Sequence, residues 1–205
     1  MMLEDKVAVM YGAGGAIGSA VARAFAREGA RLFLTGRHLA RVEGVAKELG
    51  SAEAAEVDAL DEQAVDEHLQ SVTEKAGRVD VSFNAVGVAD AEILGVPLVE
   101  LDADRFSRPI TTYATSYFLT ARLAARRMVA QRSGVIMTVT GLHSRTGVPL
   151  VGGTVRRWRR RRRSREPSPP SSHLWAYAWS ACDHRPCRRQ ARSKRPSRSA
   201  PRPWG

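Results

Sequence analysis

Short apolar runs alternate with amphipathic segments over the first 140 residues of the chain. The apolar runs lie near residues 6–10, 30–35, 54–58, 79–84 and 134–140. Between them, apolar positions recur at helical spacing over 16–28, 39–49, 61–76 and 110–131. Apolar runs of this kind are typical of strands buried on both faces of a parallel sheet, and the amphipathic segments are typical of crossover helices. The pattern predicts an α/β protein with a doubly wound parallel sheet.

A glycine-rich turn joins the first predicted strand to the first predicted helix, at residues 11–18. An anionic diphosphate binds to backbone amides at a helix N-terminus, and side chains in the turn would keep the backbone away from it. The turn therefore predicts a dinucleotide pyrophosphate site, although other tight strand-to-helix turns also use glycine. The candidate binding residues of this turn are Gly12, Gly14, Gly15, Ile17 and Gly18.

Two side chains at the ends of the next strands bear on the choice of cofactor. The second strand ends in Gly36-Arg37-His38, without a carboxylate to accept the ribose hydroxyls of NAD. Arg37 instead suits the 2′-phosphate of NADP, and the alternative is a solvated arginine at a helix start. Asp58 ends the third strand, where it can face the adenine amino group; the alternative is a helix cap for the segment beginning near Asp61.

Small residues follow the fourth strand at Ala85 and Gly87, and they allow the chain to pass close under a bound cofactor. Asn84 can hydrogen-bond to neighbouring strands and hold the crevice open. These three residues complete the candidate cofactor site.

The long helix predicted over 110–131 carries a stripe of apolar and aromatic residues on one face. This stripe favours core packing or a homo-oligomer formed through the helix over a ligand site. Its members are Tyr113, Tyr117, Ala121, Ala124 and Met128.

Composition divides the 205 residues into two unlike parts. Residues 1–154 carry 16 basic and 19 acidic side chains, a net charge of −3, whereas residues 155–205 carry 16 basic and 2 acidic side chains, a net charge of +14. The second part has no Ile, Phe or Met and cannot build a core. We therefore predict an NAD(P)-binding domain over 1–154 and a disordered Arg/Pro/Ser-rich tail over 155–205.

Three interpretations of the tail compete. Its composition is what a shifted reading frame in a GC-rich gene would produce, which is the interpretation we favour. Alternatively, the eight basic residues within 156–165 form an arm that binds nucleic acid, and nonspecific polyanion binding follows from either origin. Cys182, His184 and Cys187 have irregular spacing and no nearby fourth ligand, so no metal site is predicted.

The chain shows no apolar run of 18 residues and no basic-then-apolar leader, so neither a membrane span nor a secretory signal is expected. The first 154 residues contain no cysteine, which is compatible with a reducing cytoplasm. A cytoplasmic location is therefore predicted.

Together these motifs resemble the short-chain dehydrogenase/reductase family over about residues 5–150. The family's Thr-Gly-x-x-x-Gly-x-Gly turn is similar to residues 11–18, with Tyr11 in place of threonine and Ala16 in place of the middle glycine. Its Asn-Asn-Ala-Gly segment is similar to residues 83–87, and Gly36-Arg37 is similar to the NADP-preferring members. Asp58 corresponds to the family's adenine-contacting aspartate. The resemblance implies an incomplete Rossmann-type sheet of about five strands, and NADP as cofactor in preference to NAD.

The resemblance also implies hydride transfer between nicotinamide and a carbonyl or alcohol carbon, assisted by a tyrosine, a lysine four residues later, a serine and an asparagine. Here Tyr113 stands at the asparagine position and Gly141 at the serine position, with Thr140 and Ser144 nearby as poor substitutes. No Tyr-x-x-x-Lys occurs in the 205 residues. We expect an oxidoreductase that is inactive as written; the alternative is a non-catalytic nucleotide-binding protein with a nucleic-acid-binding tail.

Overall fold

The computed structural model describes residues 1–88 and 93–140, together with the backbone of residues 175–180. Within these ranges the strands are β1 (Val7–Tyr11), β2 (Arg31–Gly36), β3 (Glu53–Glu56), β4 (Val81–Asn84), β5 (Val135–Thr140) and β6 (Trp175–Ser180). The helices are α1 (Ala16–Arg27), α2 (Leu39–Leu49), α3 (Glu62–Ala76) and α4 (Ala103–Gln131), with a short 3-10 helix at Leu98–Glu100.

The strands form one sheet in the order β3-β2-β1-β4-β5-β6. Strands β1 to β5 are parallel, which confirms the predicted doubly wound, Rossmann-type sheet. The first three strands extend the sheet in one direction from β1, and β4 then pairs with the other side of β1. The order in which strands are added to the sheet therefore reverses between β1 and β4. Ligands of such sheets bind at that point, beyond the carboxyl ends of the strands.

Alternate residues of the strands pack into two cores, one on each face of the sheet. On one face, Val9 and Tyr11 of β1 pack against α3 and α4 through Leu69 and Leu123. On the other face, Met10 lies in a cluster with residues of α1 and α2. This arrangement explains why each buried strand is apolar at successive positions rather than at every second one.

The long helix starts earlier than the sequence indicates. It begins at Ala103, not near residue 110, because Asp102 caps it: its Oδ1 accepts a hydrogen bond from Arg105 N at 2.7 Å. The predicted start near residue 110 was therefore wrong. Pro109 lies inside the helix, where a proline is normally disfavoured because it lacks an N–H.

The predicted stripe on α4 is only partly buried. Ala124 and Met128 are buried as expected, whereas Tyr113 and Tyr117 are half-buried. At their level the buried positions are Ser116, Leu119 and Thr120, and Thr120 contacts Ser82 and Asn84 of β4. The face of α4 that meets the sheet is thus rotated relative to the aromatic residues.

One strand falls within the segment predicted to be a basic tail. The backbone of β6 pairs antiparallel with β5, with residue 180 opposite Val135. All other residues of 155–205 lie outside the described part of the chain, so the disorder of the tail stays a prediction. Among the described helices, none is long and apolar enough to cross a membrane.

His68 on α3 gives the folded protein a pH dependence. Burial, with a smaller effect of the Lys75 ammonium, lowers the pKa of His68 from 6.5 to about 4. Its Nε2 is buried and has no hydrogen-bond partner among the described residues. In the unfolded chain this histidine keeps its ordinary pKa of 6.5. Between pH 6.5 and about pH 4 the unfolded chain therefore binds more protons than the folded chain, and the free energy of unfolding falls as the pH is lowered through this range.

We therefore expect His68→Gln to remove part of this loss. Between pH 7.5 and pH 5 the wild-type chain should lose about 1–2 kcal/mol more of its free energy of unfolding than the variant does. Urea denaturation at both pH values measures the difference, and the comparison at pH 7.5 isolates the packing cost of the substitution. Equal losses in both proteins would contradict the assignment to His68.

Candidate functional site

A cavity of about 360 Å³ lies beyond the carboxyl ends of β1, β2 and β4. The described residues that line it come from four segments that follow strands. They are residues 12 and 14–17 of the glycine turn, residues 36–38 with 41 and 42, residues 57–59, and residues 85–87. The cavity therefore lies at the point where the sheet changes direction, as expected for a ligand site of this architecture.

Gly12 packs the turn after β1 closely against the loop after β4. Its φ of +74° is a backbone conformation that L side chains rarely adopt, and a Cβ added there would lie 2.7 Å from Ala85 O. Ala13 N, next in the chain, donates to Thr35 O of β2 at 2.9 Å. The turn is thus held by both strands that flank β1.

Gly18 packs beneath the turn rather than on the cavity wall. A Cβ at Gly18 would lie 2.3 Å from Gly12 O and 2.8 Å from the Cα of Ala13. This glycine allows α1 to start directly under the turn, which aims the first amides of the helix at the cavity. The other predicted residues of the turn, Gly14, Gly15 and Ile17, line the cavity itself.

Gly14 lies against the first turn of α2. A Cβ at Gly14 would be 2.9 Å from the Cβ of Arg41 and 3.4 Å from its carbonyl carbon. The absence of a side chain at this position therefore brings α2 close to the glycine turn. Sequence reasoning assigned this glycine only to the approach of a ligand.

Arg37, His38 and Arg41 form a basic wall of the cavity. The sequence analysis singled out Arg37 but missed Arg41, which lies four residues later on α2. Six of the other described arginines form ion pairs with carboxylates, namely Arg23, Arg31, Arg78, Arg105, Arg122 and Arg127. The guanidinium groups of Arg37 and Arg41 have no hydrogen-bond or ion-pair partner in the part of the chain that the structure describes.

Asp58 contributes a carboxylate to the cavity lining. It lies two residues beyond the end of β3, and its Oδ1 accepts a hydrogen bond from Leu60 N at 3.0 Å. The alternative role as a helix cap belongs to Asp61 instead, whose Oδ1 accepts from Gln63 N and Ala64 N. Asp58 is therefore an exposed carboxylate at the cavity and not part of a helix end.

Asn84 supports the cavity from within the protein. Its side chain is buried, its Nδ2 donates to Thr120 Oγ1 of α4 at 3.0 Å, and its Oδ1 accepts from Val86 N at 2.9 Å. The expected bonds to neighbouring strands are thus replaced by bonds to a helix and to the following loop. Asn84 fixes that loop, and the predicted site residues Ala85 and Gly87 line the cavity.

Two residues were predicted as poor substitutes for the catalytic groups of the family. Thr140 is the last residue of β5, and Ser144 lies outside the described residues. The tail cluster Cys182, His184 and Cys187 also lies outside them, and among the described residues no group of His, Cys, Asp and Glu side chains is suited to a metal ion.

Two tyrosines of the described part are poor proton donors. The hydroxyl of Tyr11 is buried in the core between the sheet and α3 with no hydrogen-bond partner among the described residues, and burial raises its pKa far above the usual range. The hydroxyl of Tyr117 donates to Val139 O, and burial together with the nearby Tyr113 raises its pKa to about 12. A tyrosine acid-base catalyst near neutral pH needs the opposite shift.

The residues present fit an adenine dinucleotide. Backbone amides at the start of α1 suit a diphosphate, two unpaired guanidinium groups suit a further phosphate, and a carboxylate suits an amino group. The close approach at Gly12 and Gly18 shows that this cavity depends on residues without side chains.

Comparison with known proteins gives a family match. The model of the family described as short chain dehydrogenase matches residues 6–153. The match includes all four segments that line the cavity.

Curated relatives resemble the chain over about the same region. An uncharacterised oxidoreductase of Staphylococcus aureus (strain USA300) is 29% identical over 143 residues, which are 69% of this chain and 60% of that protein. A sorbitol dehydrogenase of Cereibacter sphaeroides is 29% identical over 154 residues, 74% of this chain and 59% of that protein. The chain thus spans about three-fifths of the length of these relatives.

Solved structures agree with the fold. The crystal structure of an NAD⁺-bound xylitol dehydrogenase superposes with a TM-score of 0.68 at 28% identity, covering 75% of this chain and 60% of that one. A short-chain type dehydrogenase/reductase from Mycobacterium marinum superposes with a TM-score of 0.63 at 31% identity, covering 69% of this chain and 57% of that one.

Proposed function

Because the chain belongs to the short-chain dehydrogenase/reductase family, we propose that its cavity binds a nicotinamide adenine dinucleotide and prefers the 2′-phosphorylated form, NADP(H). The observation that carries the preference is the basic wall at the end of β2, where Arg37 lines the cavity without a carboxylate partner. An NAD-preferring site needs an acceptor for the ribose 2′-hydroxyl at this position. Here the strand ends in Gly36, and Arg37 follows it.

The geometry supports a division of roles among the cavity residues. The glycine turn would hold the diphosphate, Arg37 the 2′-phosphate and Asp58 the adenine, while Asn84 positions the loop 85–87. When bound, the nicotinamide ring supplies or accepts a hydride. The chain's own contribution is to bind and orient the adenosine and the diphosphate.

We further propose that the 205-residue chain binds the dinucleotide without appreciable turnover. It contains no Tyr-x-x-x-Lys, and burial raises the pKa of both Tyr11 and Tyr117. Without a tyrosine of lowered pKa the proton on the substrate oxygen has no donor matched to neutral pH. This proposal includes the preference for NADP and the absence of turnover. It also includes the predicted division at residue 154 and the cytoplasmic location.

The cofactor preference is tested with Arg37→Gln. We expect the variant to bind NADPH about tenfold more weakly and NADH with unchanged affinity, because a charge-assisted bond to the 2′-phosphate is lost. Fluorescence titration of both nucleotides measures the two dissociation constants. NADPH oxidation with a panel of carbonyl compounds is expected to stay at background for the unaltered chain.

The matched control is Arg126→Gln, which removes an exposed arginine of α4 away from the cavity lining. It should leave both nucleotides unaffected. Equal weakening of NADPH and NADH in the Arg37 variant would contradict the phosphate role, and steady turnover of a carbonyl compound would contradict the proposed inactivity.

A second candidate function rests on the net charge of +14 in residues 155–205. Such a segment favours nonspecific binding of single-stranded nucleic acid with steep salt dependence. Salt-sensitive nucleic-acid binding without NADPH binding would favour this candidate over the first. A shifted reading frame is the competing origin of the same segment, and the gene is expected to encode a Tyr-x-x-x-Lys helix in another frame.

A homo-oligomer formed through α4 remains part of the proposal. Exposed apolar side chains on this helix support it: Phe118 is 59% exposed, Val129 48% and Ile110 42%. Exposed apolar patches of soluble proteins commonly mark contact surfaces.

A further inference from the structure

Arg41 lines the cavity but has no role in the cofactor binding proposed above. It is the third residue of α2, it lines the same cavity as Arg37, and its backbone N donates to His38 O at 3.1 Å. The stem of Arg41 is held against the glycine turn, since its Cβ lies where a side chain of Gly14 would need space. The side chain of Arg41 therefore starts from a fixed point on the basic wall, beside the glycine turn.

The charges on this wall are not balanced by the protein. Arg37 and Arg41 carry two positive charges, and neither forms an ion pair with any carboxylate of the described residues. Asp58 lines the cavity too, yet the one hydrogen bond that its carboxylate accepts within this part of the chain comes from the backbone amide of Leu60. The side chains of Arg37 and Arg41 are both exposed, so solvent partly screens the two charges, and an anion bound between them would remove the remaining repulsion.

A phosphate monoester on the ribose is the ligand group that fits this pair. It carries close to two negative charges at neutral pH and three acceptor oxygens, and a planar guanidinium binds such a group through parallel hydrogen bonds. A diphosphate already has the amides at the start of α1.

We propose that Arg41 is a second phosphate-binding residue, which together with Arg37 binds the 2′-phosphate of the adenosine half of the ligand. This inference rests on the proposed function. Arg41 thereby discriminates between phosphorylated and unphosphorylated adenosine ligands. Recognition depends on the adenosine half, so adenosine 2′,5′-bisphosphate is a sufficient ligand.

The test uses the full chain and two probes, adenosine 2′,5′-bisphosphate and 5′-AMP, in calorimetric titrations. Arg41→Gln should weaken the bisphosphate about tenfold and change 5′-AMP by less than about twofold, since one charge-assisted contact to the extra phosphate is removed. Arg41→Lys, which keeps the charge but not the planar fork, should bind the bisphosphate with intermediate affinity. The control Arg126→Gln should match the unaltered chain, and circular dichroism verifies that each variant is folded.

The outcomes separate this inference from the proposed function. An unchanged affinity for the bisphosphate in Arg41→Gln overturns the inference, as does an equal loss for both probes, which would mean that Arg41 supports the glycine turn or the 5′-phosphate. In both cases NADPH binding that is sensitive to Arg37→Gln leaves the proposed function intact. Failure of the unaltered chain to bind NADPH and the bisphosphate overturns both proposals.

Discussion

Gly18→Ala is expected to abolish dinucleotide binding and to unfold much of the site. The new Cβ would lie 2.3 Å from Gly12 O and 2.8 Å from the Cα of Ala13, and both neighbours are backbone atoms that cannot rotate away. The turn itself is held by the bond from Ala13 N to Thr35 O, so it cannot shift without losing its contact to β2. We expect a loss of about 3 kcal/mol in the free energy of unfolding and a loss of affinity for NADPH above about a hundredfold.

Two other glycines serve as controls for this substitution. At Gly44, on the exposed side of α2, a Cβ meets nothing within 4 Å, so Gly44→Ala should stabilise the protein by about 0.5–1 kcal/mol. At Gly15 the nearest atom is Gly12 O at 3.4 Å, an ordinary contact, so Gly15→Ala should keep stability while placing a methyl group at the cavity. Denaturant titration and NADPH fluorescence separate the two effects, and a Gly18→Ala chain with normal stability and binding would refute the steric argument.

Asp80→Ala is expected to cost about 3 kcal/mol of stability without acting on the cavity directly. Asp80 is 4% exposed and lies at the opposite end of the sheet from the cavity. Its Oδ2 accepts from Val7 N at 2.9 Å, and both carboxylate oxygens accept from Arg78. Its main chain bonds to Val7 O and Val135 N, so one residue connects β1, β4 and β5. Removal of the carboxylate leaves a buried backbone amide without an acceptor.

The matched control for Asp80 is Glu48→Ala. Glu48 also accepts two hydrogen bonds from one arginine, Arg23, but both side chains are largely exposed, so its loss should cost far less stability than the loss of the Asp80 carboxylate. Asp80→Asn, which keeps an acceptor for Val7 N, should fall between the two. Urea denaturation ranks the three variants, and an Asp80→Ala cost no larger than that of Glu48→Ala would show that the buried amide bond contributes little.

The sequence was sufficient to predict the parallel sheet and half of the residues that line the cavity. Strands buried on both faces have a distinctive apolar pattern, and Gly12, Arg37 and Asp58 lie directly after such strands, where parallel strands end together. Their placement at one cavity follows from topology alone. Their roles toward a ligand remain proposals.

The features that the sequence did not predict depend on contacts between distant segments. Arg41 reaches the cavity because Gly14 allows α2 to approach the turn, and no local pattern encodes that contact. Asn84 bonds to Thr120, which is 36 residues away on a helix that contains Pro109 and whose start was predicted near residue 110. Local propensity gives a proline more weight than the cap at Asp102, and the tertiary structure reverses that order.

Gly14 has a consequence for protein engineering. Since its missing side chain sets how near α2 lies to the glycine turn, it also sets the separation between the place proposed for a diphosphate and the place proposed for a ribose phosphate. Exchange of Arg37 or Arg41 alone changes the charge of the second place but not its distance from the first. A redesign toward ligands with a different spacing of anionic groups therefore has to begin at Gly14.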